Sequence, residues 1–282
     1  MKYAVTGATG HLGRLAVEAL LERGVAPADV VALGRDTAKL DDLADRGVQV
    51  RRADYDDRAS LDAALAGVDR VLLVSGTEFG RRVEQHTAVI EAARAAGVAL
   101  LVYTSSPNAD TASYTIAQEH RGTEQALAAS GLPHVVLRNG WYLENYTAQL
   151  PVYLEHGIVG AAGDGRIAAA ARPELAEAAT VVLIGEGYAG QVLDLGGPAF
   201  TLTELAAEVS AASGRDVTYT DLPEAQLVEV LLGAGVPEPM AKALGDSDAD
   251  AARGALYLEP TDLEKVLGRP ATTMPEAVRA AL

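Results

Sequence analysis

The stretch Val5-Thr6-Gly7-Ala8-Thr9-Gly10-His11-Leu12-Gly13-Arg14 (VTGATGHLGR) decides the fold, because it sets three glycines three apart directly after the apolar run Tyr3-Ala4-Val5. A tight turn from strand to helix needs one residue free of Cβ clashes. A close backbone approach to a phosphate needs a second, and contact between helix and sheet needs a third. Gly7, Gly10 and Gly13 suit those three needs. The N–H groups around Thr9, Gly10, His11 and Leu12 then face an anion, helped by the positive end of the following helix. The spacing is GxxGxxG and not the commoner GxGxxG, and glycine punctuates many turns, so the context carries the reading. The motif follows a strand, opens a helix striped by Leu12, Leu15, Ala16, Ala19 and Leu20, and a second strand ends about 22 residues later. That context predicts a dinucleotide cradle.

Working outward, KYAVT, DVVALG, VQVRRAD, DRVLLVSG, ALLVYTSS and PHVVLRNG read as strands, each nearly continuously apolar, with helical periodicity between them. Strands of that kind are covered on both faces, and their alternation with helices predicts an α/β fold, a Rossmann-like doubly wound parallel sheet. After about Asn145 the pattern loosens. GAAGDGRIAAAA reads as a loop, ARPELAEAATVVLIGEG as a helix and QVLDLGG as a further strand; from TLTELAAEVSAASG onward the chain is mainly helical, with Thr201 or Thr203 as N-cap and Gly214 as its stop. The expected division is a dinucleotide-binding domain over 1–145, with 170–196 packing back onto it. A smaller substrate-covering lobe takes 146–169 and 197–282.

A length of 282 residues with 49% hydrophobic content suffices for one large α/β body and an added lobe. The opening residues lack a signal peptide's apolar core and no run is long enough to span a bilayer, so a cytoplasmic protein without membrane contact is expected. The absence of cysteine excludes disulfides and thiolate chemistry. A net charge of −16 without a basic stripe argues against nucleic acid, while a small anion can still bind at a helix N-terminus. His11, His86, His120, His134 and His156 show no paired spacing for a metal, and none is expected. Asp246 to Asp250 (DSDAD) lack the glycine and glutamate that a calcium loop requires, so a solvated acidic turn is expected there.

The tip of the second strand discriminates between cofactors. An NAD site places an acidic side chain there to accept from the ribose 2′-OH, whereas this chain has Gly34 and Arg35. The small residue leaves room for a phosphate that Arg35 can grip, with Lys39 as a second cation; this favours NADPH, with NADH still possible. The alternative is a solvated Arg35 with Asp36 on the ribose.

With GR (34–35), LLVSG (72–76), YTSS (103–106), LRNGWYLENY (137–146) and GAAGDGRIA (160–168), the glycine motif makes the chain resemble the NmrA-like atypical short-chain dehydrogenase/reductases over essentially its whole length. Within that family it is most similar to the bacterial NAD(P)H:quinone oxidoreductase type 2 group, and the triphenylmethane dye reductases are close cousins. The resemblance implies that Thr6, Gly7, Ala8, Thr9, Gly10, His11 and Arg35 hold the NADP phosphates, while Leu12 and Gly13 complete the cofactor-binding turn. It places Asp54 near the adenine, Ser75, Gly76 and Thr77 beside ribose and pyrophosphate, and Thr104 on the cofactor side. Asn139, Gly140, Trp141 and Tyr142 would edge the nicotinamide, and Ser105, Trp141 and Asn145 the substrate. For Trp141, ordinary lobe packing is the alternative.

Typical members of the superfamily donate a proton from the tyrosine of a YxxxK pair. Here the window is YTIAQ, with Gln118 where lysine would stand, and the family's later lysine, just before the next helix, corresponds to His120. Reducing a ketone to an alkoxide benefits from such an acid, whereas a quinone becomes a stabilised hydroquinone anion that water can protonate. Direct hydride transfer to a planar acceptor, without flavin or metal, is then mostly positioning chemistry. His120 and Tyr142 are the candidates nearest the chemistry; His120 acts there as an electrostatic or proton-donating group or else lies in solvent at a helix start. The expected function is an NADPH-dependent reductase of quinones or similar planar electron-poor compounds, the dye reductases' activity included, acting as a monomer or homodimer. A non-catalytic NAD(P) redox sensor is the competing reading.

Overall fold

The computed structural model describes residues 1–259 and 261–282. Among them are nine strands: β1 (Tyr3–Val5), β2 (Val30–Gly34), β3 (Gln49–Arg52), β4 (Arg70–Leu73), β5 (Leu100–Ser105), β6 (His134–Asn139), β7 (Ile158–Gly160), β8 (Val192–Leu195) and β9 (Tyr219–Asp221). Seven form one sheet in the order β3-β2-β1-β4-β5-β6-β8, every pair parallel. Each of these seven falls within a segment read as a strand, most plainly β2, β4 and β5, whose residues are buried on both faces and leave no polar alternation, whereas the edge strand β3 (QVRR) is polar and only partly buried. The architecture is Rossmann-like, as expected.

Helices cover both faces. On one, the first helix (His11–Glu22) packs against the Arg172–Ile184 helix, joining Leu12, Ala16 and Leu20 to Leu175, Ala179 and Val182 in one apolar cluster. On the other, the Arg58–Leu65 and Arg82–Ala95 helices bury Leu61, Leu65, Val89 and Ile90 against Leu101 and Tyr103. A charge at the foot of the buried β4 needs partners. Arg70, 7% exposed, donates to the carbonyls of Leu183 (2.9 Å) and Gly185 (2.6 Å), the loose C-terminal end of the Arg172–Ile184 helix, and pairs with Glu186.

Beyond β6 the chain leaves the sheet, builds part of a third apolar cluster around Tyr114, Leu150, Ile167, Phe200 and Leu205, and returns through the Arg172–Ile184 helix to β8. β8 thus extends the sheet and the Arg172–Ile184 helix packs against it. So does part of the segment after 261: Asp262 N donates to Asp194 O at 2.7 Å, and Leu263 and Ala271 join the cluster of the first helix. The rest is mainly helical, with one feature the sequence pattern did not reveal, the parallel pair β7 and β9. Thr201 caps the Leu202–Ser213 helix in a capping box with Glu204, and Gly214 ends it with φ +70°.

The acidic run 246–250 is not a solvated turn. It lies in the Glu238–Ala251 helix, and Asp250 is only 3% exposed. Asp250 Oδ2 accepts from the backbone N–H of Ser113 and of Tyr114, both at 2.8 Å, and Asp246 accepts from Thr115 N at 2.6 Å. These two carboxylates, one helical turn apart, cap the Thr115–Ser130 helix from outside it. Asp248 faces elsewhere, accepting from Ala161 N at 3.1 Å, and burial pushes its carboxyl up to about 6.

Candidate active site

In the sheet order, β1 is the turning point: later strands extend one way from it and β2 and β3 the other, so a crevice opens at the carboxyl ends between β1 and β4. A cleft of about 380 Å³ lies there, and its floor is the glycine motif. Gly7 turns the chain with φ +60°. A Cβ on Gly13 would stand 2.3 Å from Gly7 O, so this position is where helix meets turn, whereas one on Gly10 would meet that oxygen at 3.3 Å. Gly10 is the N-cap of the first helix, no side chain accepts from its N–H groups, and no acidic residue occupies its first turn. An uncapped helix N-terminus at the base of a cleft suits a diphosphate. Gly34 is small for a second reason too: a Cβ there would come within 2.8 Å of Thr9 Cγ2.

Of the residues anticipated for the cofactor, Thr9, His11 and Leu12 line the cleft with the three glycines, as do Arg35, Asp54, Ser75, Gly76, Thr77 and Tyr142. Others support it from beneath. Thr6 Oγ1 accepts from Val74 N (3.0 Å), Thr104 Oγ1 accepts from Ser75 N (2.9 Å), and the buried Ala8 donates its N–H to Leu33 O (3.0 Å). Gly140 sits where a Cβ would meet Ala168 O at 2.0 Å, a close crossing of backbones. Asn139 is 5% exposed at the carboxyl end of β6, and neither its carbonyl nor its NH₂ makes a hydrogen bond. A buried amide with both donor and acceptor unpaired is costly unless a ligand or water meets it.

Around the nominal substrate side the geometry is more divided. Trp141 packs in the lobe cluster, edge-on to Tyr114 with centroids 6.3 Å apart, and does not line the cleft. Ser105 gives its hydroxyl to Glu124 (2.6 Å), which Arg138 also holds through two bonds. Asn145 is exposed in the short Glu144–Thr147 helix. Lys39 turns from the cleft to Asp36, 3.7 Å away.

His120 departs from the expectation in two ways. It lies inside the Thr115–Ser130 helix, not ahead of it, and it is 5% exposed, its Nδ1 2.7 Å from the Tyr103 hydroxyl. Burial, then Arg82 and His86, hold its pKa well below the ordinary value, so it is neutral at neutral pH and the titration expected there is suppressed. His86 completes this buried group. Its Nε2 accepts from Gly76 N (3.0 Å), which fixes the proton on Nδ1, 3.0 Å from Thr123 Oγ1. Burial and Arg82 lower the His86 pKa to about 3. Tyr114, the tyrosine of the YxxxK window, is fully buried and donates to Pro107 O (3.2 Å), while Gln118 donates to Ser113 O. Neither is arranged as a proton donor to the cleft.

Several further lining residues carry little signal in the sequence. Tyr55 follows Asp54 into the cleft; burial pushes its hydroxyl up to about 12. Glu78 and Gln85 come from the segment after β4 and the helix beyond it. Arg172, at the start of its helix, lies over the Tyr142 ring with its guanidinium carbon 4.7 Å from the centroid, and its own N–H is held by both Glu144 carboxylate oxygens (2.9 and 3.0 Å). The sequence signal for Arg172 is its place directly before Pro173, which opens a helix at the same edge of the sheet as the glycine motif.

The NmrA-like family model matches residues 2–261. The chain belongs to the NmrA-like family. Among curated members, quinone oxidoreductase 2 of Escherichia coli (strain K12) is 47% identical over 277 residues, covering 98% of this chain and 96% of that protein. A crystal structure of an NADPH-dependent quinone oxidoreductase from Escherichia coli complexed with NADPH superposes with a TM-score of 0.96, at 46% identity and 99% coverage of each chain. The Citrobacter sp. triphenylmethane reductase complexed with NADP(H) gives 0.94 at 34% identity, covering both chains fully. No cluster of His, Cys, Asp and Glu suited to a metal ion occurs among the described residues of this NmrA-like protein, and none of its described helices is long and apolar enough to cross a membrane.

Proposed function

We propose that the protein is an NADPH-dependent reductase of quinones or similarly planar, electron-poor acceptors. The observation that carries this reading is the uncapped helix N-terminus over the Gly7–Gly13 turn, with Arg35 at the tip of β2 where an NAD site carries an acid. The 47% identity to a quinone oxidoreductase over nearly the whole chain supports the acceptor class.

When bound, NADPH supplies the hydride. The chain's own residues do the rest. The N–H groups of His11 and Leu12 receive the diphosphate, Arg35 the 2′-phosphate, and Asp54 and Tyr55 border the adenine. Asn139, with both ends of its amide free, suits the carboxamide of a nicotinamide ring. Tyr142, held under Arg172, lines the cleft. With Tyr114 buried and His120 neutral, no protein acid is needed for a hydroquinone anion that water protonates. We assign the acceptor's cover to the lobe built from 146–169 and the helices after 197 other than Leu263–Leu267, which packs on the sheet side.

The test is oxidation of NADPH and of NADH with a panel of quinones, a triphenylmethane dye and a simple ketone. NADPH consumption with quinones and none with the ketone is expected. Tight dinucleotide binding without consumption by any acceptor would move the assignment to a redox sensor. Arg35→Ala weakens NADPH by at least about tenfold and leaves NADH nearly unaffected; an equal loss for both removes Arg35 from cofactor choice.

A further inference from the structure

Arg35 and Glu78 come from different strand ends yet meet at the cleft: Arg35 Nη1 lies 3.0 Å from Glu78 Oε1, and both residues line the cavity. We propose that Glu78 is a specificity-determining residue that competes with the cofactor's 2′-phosphate for Arg35, holding down affinity for phosphorylated dinucleotides while leaving NADH untouched. This rests on the NADPH reading above.

The position of Glu78 is built. Its second oxygen accepts from Gln85 Nε2 at 3.0 Å, and Gln85 is itself 4% exposed. The segment that carries Glu78 is tied down at both ends: Gly76 donates to His86 and accepts from Arg82 Nε (2.9 Å), while Gly80 N and Arg82 both bind Glu119. Other charges nearby are already engaged. Asp54 pairs with Arg52 (3.1 Å), Asp56 with Arg81 (2.8 Å), and Asp36 with Lys39, so Glu78 is the only acid that reaches Arg35 among the described residues.

A phosphate approaching Arg35 has two consequences for this pair. The guanidinium must be released from the carboxylate or shared with it, and the fixed Glu78 charge then stands beside a dianion. A cofactor with a free 2′-OH carries no such charge and leaves the pair closed. Glu78 therefore opposes NADPH and NADP⁺ alike.

Calorimetric titration of wild type and Glu78→Gln with NADPH, NADP⁺, 2′,5′-ADP and NADH tests this. Glutamine keeps the bond to Gln85 or Arg35 through its carbonyl but removes the charge. All three 2′-phosphorylated ligands are expected to bind about three- to tenfold tighter, less so at high salt, with NADH within about twofold. The gain shrinks when Arg35→Ala is combined with it. Unchanged binding of the phosphorylated ligands, in a wild type that prefers NADPH, overturns the role of Glu78 and leaves the proposed function standing. Weakened NADH binding with unchanged NADPH makes Glu78 a ribose acceptor and overturns it too. A wild type with no preference for NADPH removes the cofactor reading and this inference together.

Discussion

At the scale of single residues, the three glycines of the first turn do unequal work. Gly13 has no room for a methyl group, since its Cβ would stand 2.3 Å from a backbone oxygen that cannot swing away, whereas Gly10 is nearly spacious enough. Gly13→Ala is therefore expected to lower stability by about 1–3 kcal/mol and to abolish dinucleotide binding, with Gly10→Ala milder on stability. Urea unfolding and calorimetry on the pair check this; equal midpoints would contradict the packing argument. The motif was legible because its spacing matches a local backbone need. Arg35 was legible too, as a charge at a strand tip, but its partner was not: Glu78 is 43 positions away, and only the parallel pairing of β1 with β2 and β4 brings the two strand ends together. Tyr55 and Arg172 escaped for a related reason, since a lone aromatic or arginine at an element's end carries no periodicity.

At the scale of elements, the Thr115–Ser130 helix shows how a boundary can be invisible locally. Its N-cap is Tyr114, which offers no side-chain cap, and the acceptors for its first N–H groups come from Asp246 and Asp250, more than 130 residues on. Without a start signal beside it, His120 read as lying ahead of the helix, and the two aspartates read as solvated. Asp250→Ala leaves the N–H of Tyr114 without an acceptor in a buried setting and that of Ser113 in a partly buried one, so a loss of about 1–3 kcal/mol is expected. Hydrogen exchange localises it: the amides of Ser113 to Thr115 exchange faster in the variant, and a change confined to the Glu238–Ala251 helix would refute the cap. The central sheet strands β2, β4 and β5, by contrast, could be read one by one because each is buried on its own account, whereas β7 and β9 are three residues each and carry no such signature.

At the scale of the whole molecule, the buried histidines set a pH limit. The fold holds His86 and His120 neutral, with the His86 pKa depressed from 6.5 to about 3, so below pH 6.5 the unfolded chain takes up protons that the folded one refuses. Their contribution is complete above that value and is lost as the pH falls below it, for His86 on the way to about 3. Asp248 runs the other way, since its folded pKa of about 6 exceeds its ordinary value and its contribution is lost as the pH rises through 6. Two histidines outweigh one aspartate, so the urea midpoint is expected to fall from pH 7 to pH 4.5, less steeply in His86→Gln; a midpoint that rises on acidification would count against it. Strand order has a consequence for synthesis. β1 is made before either of the strands that flank it, and the part of the following helix's apolar side that meets residues 172–184 stays bare until they exist to cover it. During translation that nascent surface is the stretch most in need of a chaperone's shelter.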